Sequence, residues 1–187
     1  PLPRMQSSLS RVEPGASGFD GVPGYLKPAG MAAIVTHLRH RCRMRSKGSL
    51  FCDIGCGEAR PVLAAMEACP RLAGALGFDV DDITLGVARR NVERFLGKAW
   101  DEEEGRYRDA KEGEAAAPAP RSCVAHADVT RLPDLVCVTH AYCFCNGMPD
   151  DVLRHVFRAC AATPTLRYLV LVYKKLAGDA AYELVKR

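Results

Sequence analysis

Short apolar runs alternate along the chain with segments whose apolar residues recur every three or four positions. Five runs have the length of buried strands, at 49–52, 73–78, 123–127, 135–138 and 166–172. Four segments have helical periodicity, at about 29–47, 60–68, 82–96 and 149–162. Strands that alternate with helices predict right-handed crossovers and an α/β fold, with a doubly wound, mostly parallel sheet and helices on both faces.

Two parts of the chain lack this pattern. Residues 1–24 are rich in breakers and predict an irregular N-terminal arm ahead of a single domain at 25–187. Residues 97–121 combine an acidic run with an Ala- and Pro-rich run, which predicts a polar, solvated and mobile insertion. Because the chain starts at Pro1, we expect its natural N-terminus to be missing.

Composition narrows the class of protein. With 48% hydrophobic and 26% charged residues the chain resembles a soluble globular domain, and no apolar stretch predicts a membrane-spanning helix. Nine cysteines are an odd number in a chain large enough for a core, so we expect free thiols and a reducing, intracellular location. We expect Cys143 and Cys145 to point to opposite faces of an extended segment, and no metal site is predicted.

A glycine turn follows the first predicted strand. Gly55, Cys56 and Gly57 allow a tight turn and a close backbone approach to a ligand, ahead of a helix N-terminus. Asp53, two residues before Gly55, would repel a pyrophosphate but attract the amino group of an adenosyl sulfonium. The sequence therefore favours S-adenosylmethionine over a dinucleotide. Because a nicotinamide oxidoreductase needs a dinucleotide, that function is disfavoured.

Two further carboxylates follow the next two predicted strands. Asp79, with Val80 beside it, could accept hydrogen bonds from the ribose hydroxyls of the donor. Asp128 could meet the adenine amino group while Val129 packs on the ring. Each aspartate taken alone could equally be a helix cap or a turn residue. Ligands bind at the carboxyl ends of parallel strands, so the three carboxylates together favour a site for the methyl donor.

The ordered segments 53–59, 77–79 and 126–133 resemble the signature segments of class I S-adenosylmethionine-dependent methyltransferases, whose fold is Rossmann-like. Within that superfamily, residues 24–31 and 138–144 resemble the disruptor-of-telomeric-silencing family of histone lysine methyltransferases without a SET domain. The resemblance implies that Tyr25 and Lys27 help to enclose the donor. It also implies that Thr139, Tyr142 and Phe144, placed after the fourth strand, line a lysine channel and are the catalytic residues. The rings of Tyr142 and Phe144 could equally be core or rim packing.

The resemblance further implies a protein acceptor such as a histone or nucleosome, and a nuclear location. The chain departs from the family at Ala59, where a glycine is common, and at Thr139, where an asparagine is common. It also ends shortly after the fifth predicted strand, so the antiparallel hairpin that closes the sheet in this superfamily is expected to be missing or reduced. Two alternatives stay open: a noncatalytic scaffold or assembly subunit, and a methyltransferase that acts on RNA or a small molecule.

The first predicted helix ends in a run of five cations: Arg39, Arg41, Arg43, Arg45 and Lys47. These side chains could contact nucleic-acid phosphates or an acidic patch on a chromatin particle. They could equally be the favourable positive charge of a helix C-terminus. The net charge of +4 is mild and does not decide between the two.

Overall fold

The computed structural model describes residues 26–45, 47–101, 106–109, 121–174 and 180–186. The four helices within this part of the chain are α1 (Pro28–His40), α2 (Arg60–Ala68), α3 (Asp82–Leu96) and α4 (Asp150–Ala162). The strands are β1 (Leu50–Ile54), β2 (Gly74–Asp79), β3 (Lys98–Asp101), β4 (Arg106–Asp109), β5 (Arg121–His126), β6 (His140–Phe144), β7 (Tyr168–Lys174) and β8 (Ala180–Lys186).

Six of these strands form one sheet in the order β5-β2-β1-β6-β7-β8. The first five are parallel, and β8 pairs antiparallel with β7. The strand order reverses at β1, since β2 and β5 lie on one side of it and β6 and β7 on the other. Such a reversal opens a crevice at the carboxyl ends of the strands, which is where ligands bind in open α/β sheets.

The core lies in two layers because successive residues of a strand point to opposite faces of the sheet. Phe51 packs in the layer with Leu38 of α1, Val62 of α2 and Val92 of α3. Cys52, the next residue, packs in the other layer, which α4 covers. The predicted α/β architecture with helices on both faces is confirmed.

The fourth strand lies five residues later than the apolar run at 135–138 predicted. Leu135 and Val138 are buried, but they belong to a turn in which the Val138 N–H bonds the Leu135 carbonyl at 3.2 Å. Val136 has φ of 52° and is 73% exposed, which no strand residue in a parallel sheet tolerates. The run was apolar because the turn covers the core, and the strand itself is His140–Phe144.

Three other boundaries differ from the prediction. Helix α1 ends at His40, and Arg43 has φ of 58°, so the basic run lies mostly beyond the helix. The insertion at 97–121 contains the β3–β4 antiparallel hairpin, so it is not wholly irregular. Strand β8 supplies an antiparallel partner for β7, so the end of the sheet is more complete than expected. The N-terminal arm at 1–24 lies outside the described residues.

Candidate functional site: a cleft at the carboxyl edge of the sheet

The glycine turn is tied to the neighbouring strand by its own backbone. The N–H groups of Gly55 and Cys56 both donate to the Phe78 carbonyl at 2.9 Å. Gly55 and Gly57 have φ of 72° and 52°, a left-handed conformation that favours glycine because it has no Cβ. Ala59 also takes this conformation, with φ of 64° and ψ of 22°. Alanine thus follows the backbone path that glycine takes most easily, and α2 starts directly after it.

Asp53 is a buried carboxylate. The residue is 1% exposed, and neither of its carboxylate oxygens has a hydrogen-bond partner among the residues that the structure describes. Burial raises the pKa of Asp53 well above its ordinary value, and the nearby Asp79 charge raises it further. A buried unpaired polar group is costly to a fold, so its retention at a cleft points to a ligand that supplies the missing donors.

Asp79 organises the turn in front of Asp53. Its Oδ2 accepts the Gly57 N–H at 2.9 Å, and its Oδ1 accepts the N–H groups of Val80 at 2.8 Å and Asp81 at 3.2 Å. A carboxylate has about four acceptor sites, so these bonds leave capacity for a further donor. Asp79 therefore lies at the strand end that the sequence predicted, and it holds the turn in place there.

Asp128 is the cap of a short 3₁₀ helix, Val129–Arg131. Its Oδ1 accepts the Thr130 hydroxyl at 2.7 Å and the Thr130 N–H at 2.9 Å, and these two bonds lower the pKa of Asp128. Val129 is 6% exposed and packs in the core layer under α4, not on a surface that a ring could reach. Val80, directly after β2, is 44% exposed and presents an apolar side chain at this edge.

The cleft itself lies between the N-terminal end of α1, the glycine turn and the end of β6, and encloses about 90 Å³. Asp53 and Tyr142 face each other in register on adjacent strands, and both line it. Tyr142 is buried and Phe144 is half-buried at the same wall. The structure thus brings together Asp53, the glycine turn and two of the three predicted catalytic residues. These aromatic residues belong to β6 itself; they do not follow it.

The third predicted catalytic residue, Thr139, lies at the opposite edge of the sheet. It directly precedes β6, and its hydroxyl accepts the Leu50 N–H at 2.9 Å and lies 3.0 Å from the Leu50 carbonyl oxygen. Tyr142, the first residue of β6 in the cleft wall, lies three residues beyond Thr139, about 10 Å along the strand, so Thr139 cannot reach the cleft. Its placement after the fourth strand was wrong because that strand starts at His140, and its hydroxyl joins β1 to β6.

The loop ahead of α1 contributes differently from the prediction. Lys27 is exposed, and its carbonyl accepts the N–H groups of Gly30 at 2.9 Å and Met31 at 3.1 Å at the start of the helix. Its neighbours Leu26 and Pro28 line the cleft, whereas Lys27 does not. Tyr25 lies outside the described residues.

Sequence reasoning missed an ion pair in the cleft wall. The side chain of Glu58 is fully buried, and its Oε2 lies 2.9 Å from Nη2 of Arg60 and 3.0 Å from its Nε. Both residues line the cleft. The sequence could have predicted this ion pair, because Glu58 and Arg60 carry opposite charges on either side of Ala59 and polar side chains in such a turn have few other partners.

The two cysteines of the Cys143–Cys145 segment share one face, so the expectation of opposite faces was wrong. Alternate residues of a strand point the same way, and both cysteines are buried in the core layer under α4, where the Cys145 thiol donates to the Cys143 carbonyl at 3.6 Å. Among the residues that the structure describes, no three His, Cys, Asp or Glu side chains form a metal site. No helix in the same part of the chain is long and apolar enough to span a membrane.

No protein-family model and no curated protein matches the chain. Solved structures do resemble it. A candidate RNA methyltransferase, PH1948 from Pyrococcus horikoshii, has a TM-score of 0.62 at 13% identity, over 94% of this chain and 75% of its own. Magnesium protoporphyrin IX methyltransferase from Synechocystis PCC 6803, crystallised with bound SAM, has a TM-score of 0.57 at 14% identity, over 94% and 73%.

Precorrin-6y C5,15-methyltransferase from Geobacter metallireducens GS-15 has a TM-score of 0.52 at 16% identity, over 87% of this chain and 69% of its own. These proteins differ in the acceptors that their names state, and their identities to this chain are low. What they share with it is the backbone arrangement. The chain has the Rossmann-like fold of class I S-adenosylmethionine-dependent methyltransferases.

Proposed function

We propose that the chain is an S-adenosylmethionine-dependent methyltransferase whose donor binds along the carboxyl edge of the sheet. The observation that carries the proposal is the buried carboxylate of Asp53 in the wall of the cleft, which has no hydrogen-bond partner in the described part of the chain. A donor that brings an ammonium group to this carboxylate would satisfy its oxygens and restore its charged form. The Asp53 site fits the methyl donor in this respect.

The charges of the cleft support a cationic ligand over a phosphate ligand. Glu58 lines the wall together with Asp53, and Asp79 lies close enough to raise the pKa of Asp53. The cation among the described lining residues, Arg60, is already paired with Glu58. A dinucleotide would place its pyrophosphate at the glycine turn against this negative charge, which is the reason a nicotinamide cofactor is disfavoured.

S-adenosylmethionine supplies a methyl group activated by its sulfonium centre. The chain's residues then have to hold the donor and the acceptor in line and to exclude water. Tyr142 and Phe144 extend from the Asp53 wall along the end of β6. We propose that these rings line the path of the acceptor and position it, and that no residue of the chain forms a covalent intermediate.

For the acceptor we propose a protein lysine. The support is the resemblance of residues 138–144 to the histone lysine methyltransferases, together with the place of Tyr142 and Phe144 in the cleft wall. A narrow aromatic passage favours the neutral form of an amine, because desolvation disfavours the charged form, and only the neutral amine has the lone pair for the transfer. The noncatalytic alternative was motivated partly by Ala59, but Ala59 takes the left-handed conformation expected of a glycine there.

The deciding assay is transfer of a radiolabelled methyl group from the donor to nucleosomes, free histones or RNA. The proposal predicts label in histone protein, and loss of most of that label with Phe144→Ala at unchanged donor affinity. Phe157→Ala is the matched control, since Phe157 is 43% exposed on α4 and outside the cleft lining. Label in RNA alone would refute the lysine acceptor, and donor binding without label in any acceptor would favour the scaffold.

A further inference from the structure

A second charged surface lies at the amino edge of the sheet, opposite the cleft. We define this basic edge by seven exposed cations: Arg39, Arg41, Arg43, Arg45, Lys47, Arg71 and Arg167. We propose that the basic edge binds the phosphodiester backbone of a nucleic acid. The inference does not rest on the methyl donor, because none of the cations that define the edge belongs to the cleft.

Folding of the segment after α1 directs its arginines outward. Cys42 is 2% exposed and Met44 is fully buried, and they alternate with the exposed Arg41, Arg43 and Arg45. The Met44 N–H donates to the Leu38 carbonyl at 2.9 Å, which ties the segment to the end of α1. The arginines therefore stand on an ordered backbone whose apolar residues fill the core.

A buried histidine fixes the same segment to the sheet. His140 is 1% exposed, and its Nε2 lies 2.9 Å from the Cys42 carbonyl oxygen. A carbonyl only accepts, so Nε2 carries the proton. The other ring nitrogen lies 2.8 Å from the Thr139 hydroxyl, and the ring stacks on Tyr168 at 5.2 Å. The position of Cys42, between the exposed Arg41 and Arg43, is therefore set by β6 and β7.

The topology brings the other cations to the same edge. Residues that precede parallel strands lie together at their amino ends, and Arg71 precedes β2, Lys47 precedes β1 and Arg167 precedes β7. The span from β2 across β1 and β6 to β7 covers three strand spacings, about 14 Å. Within the described part of the chain, none of the seven cations forms an ion pair.

A helix C-terminus does not account for this charge. The helix dipole acts within the last turn, and only Arg39 lies in the last turn of α1. The cations from Arg41 to Lys47 stand beyond it, without acidic partners among the described residues. Apart from Lys47, the defining residues are all arginines, whose planar guanidinium binds phosphate through two hydrogen bonds. An extended row of such groups matches a repeating phosphate backbone, and for this reason we infer nucleic acid over an acidic protein surface.

The basic edge and the cleft lie on opposite sides of the molecule. Strands β1 and β6, each about 16 Å long, run from the basic edge to the cleft. A nucleic acid held at the basic edge therefore does not occupy the donor cleft. Bound nucleic acid would then serve to hold the protein near its acceptor. Its binding should need no donor and should leave donor affinity unchanged.

The test is fluorescence anisotropy with short labelled single-stranded RNA and duplex DNA, in the absence of donor. Arg41→Glu/Arg45→Glu should weaken binding by about tenfold or more, and the salt slope should become shallower by about 0.7–0.9 for each phosphate that the variant no longer neutralises. Arg154→Glu/Arg158→Glu is the control, since it makes the same change in net charge at exposed residues of α4. Arg43 is left unchanged because its φ is 58°.

The control should bind within about twofold of the wild type, which sets a local effect apart from overall charge. If circular dichroism shows that Arg41→Glu/Arg45→Glu is unfolded, Arg41→Gln/Arg45→Gln takes its place, because it removes the two positive charges without adding negative ones. Failure of the wild type to bind RNA and DNA, or an equal loss in both reversed variants, would overturn the inference. So would binding of labelled poly-glutamate with the same dependence on Arg41 and Arg45, because it would identify an acidic protein surface as the partner.

Discussion

The Asp79 carboxylate accepts the Gly57 N–H at 2.9 Å, and this bond joins the end of β2 to the glycine turn that follows β1. The same carboxylate raises the pKa of Asp53, which lies beside it at the end of β1. One side chain thus sets both the shape of the turn and the electrostatics of the buried acid behind it. The glycines alone do not define the site, because the turn depends on this neighbouring strand.

We expect Asp79→Asn to destabilise the fold. The Gly57 N–H donates to one of the two Asp79 carboxylate oxygens. An asparagine keeps a single acceptor oxygen, so its NH₂ group would face the Gly57 N–H, and the two donors cannot bond each other. Loss of that acceptor should cost about 1–3 kcal/mol, measured by urea denaturation. Asp128→Asn is the control, since both bonds from Thr130 go to one oxygen and asparagine caps as well as aspartate. Equal losses in the two variants would contradict the role of Asp79.

The contribution of Asp53 to the stability of the wild type should become unfavourable as pH rises above the ordinary carboxyl range. Burial raises the pKa of Asp53 in the folded state, so between its unfolded and folded values the folded chain binds the extra proton. Deprotonation at higher pH then leaves an unpaired buried charge. Asp53→Asn should therefore be more stable than the wild type at pH 8, with a smaller advantage near pH 5. A stability difference that does not change with pH would exclude this explanation.

Ala59→Gly should leave the free energy of unfolding within about 1 kcal/mol of the wild type. Glycine relieves a left-handed conformation that costs an L-residue about 1–2 kcal/mol, and loss of the buried methyl group costs about 0.8 kcal/mol. Ala64→Gly, in α2 and equally buried, has no such relief and should lose about 2 kcal/mol. Donor affinity should be unchanged in Ala59→Gly; a loss would show that the alanine is needed by the turn.

Thr139→Val should destabilise the protein without changing the kinetics of the acceptor. Valine removes the acceptor of the Leu50 N–H, at a cost of about 1–3 kcal/mol. Thr165→Val is the control, because the exposed Thr165 hydroxyl contacts the Val136 and Val138 carbonyls, so valine there removes a donor and not the acceptor of a backbone N–H. A change in the KM for the acceptor with unchanged stability would restore Thr139 to the catalytic site.

Local patterns predicted the elements of the fold because buried parallel strands are short apolar runs and the helices between them are amphipathic. The patterns failed at residues 135–138, where a turn covers the core with the same residue types as a strand. They also failed at 97–121, because the β3–β4 hairpin is too short and polar to stand out from a loop. In both cases the pairing partner, and not the local sequence, decides the structure.

The site was predicted in part. Asp53, Asp79 and Asp128 do stand at the ends of three parallel strands, since that follows from the strand order. What each carboxylate does depends on its hydrogen bonds: within the described residues Asp53 has none, Asp79 accepts three N–H groups, and Asp128 caps a turn. The placement of Thr139 failed through the shifted fourth strand, because an error of five residues in a strand moves a residue from one edge of a sheet to the other.

We propose that Asp53 receives the amino group of the methyl donor. Calorimetry with S-adenosylmethionine and with 5′-methylthioadenosine, which lacks the amino acid part, tests this role on wild type and Asp53→Asn. We expect the wild type to bind S-adenosylmethionine more tightly, and we expect Asp53→Asn to lose most of this preference while its affinity for methylthioadenosine is unchanged. An equal preference in both proteins would contradict this role of Asp53.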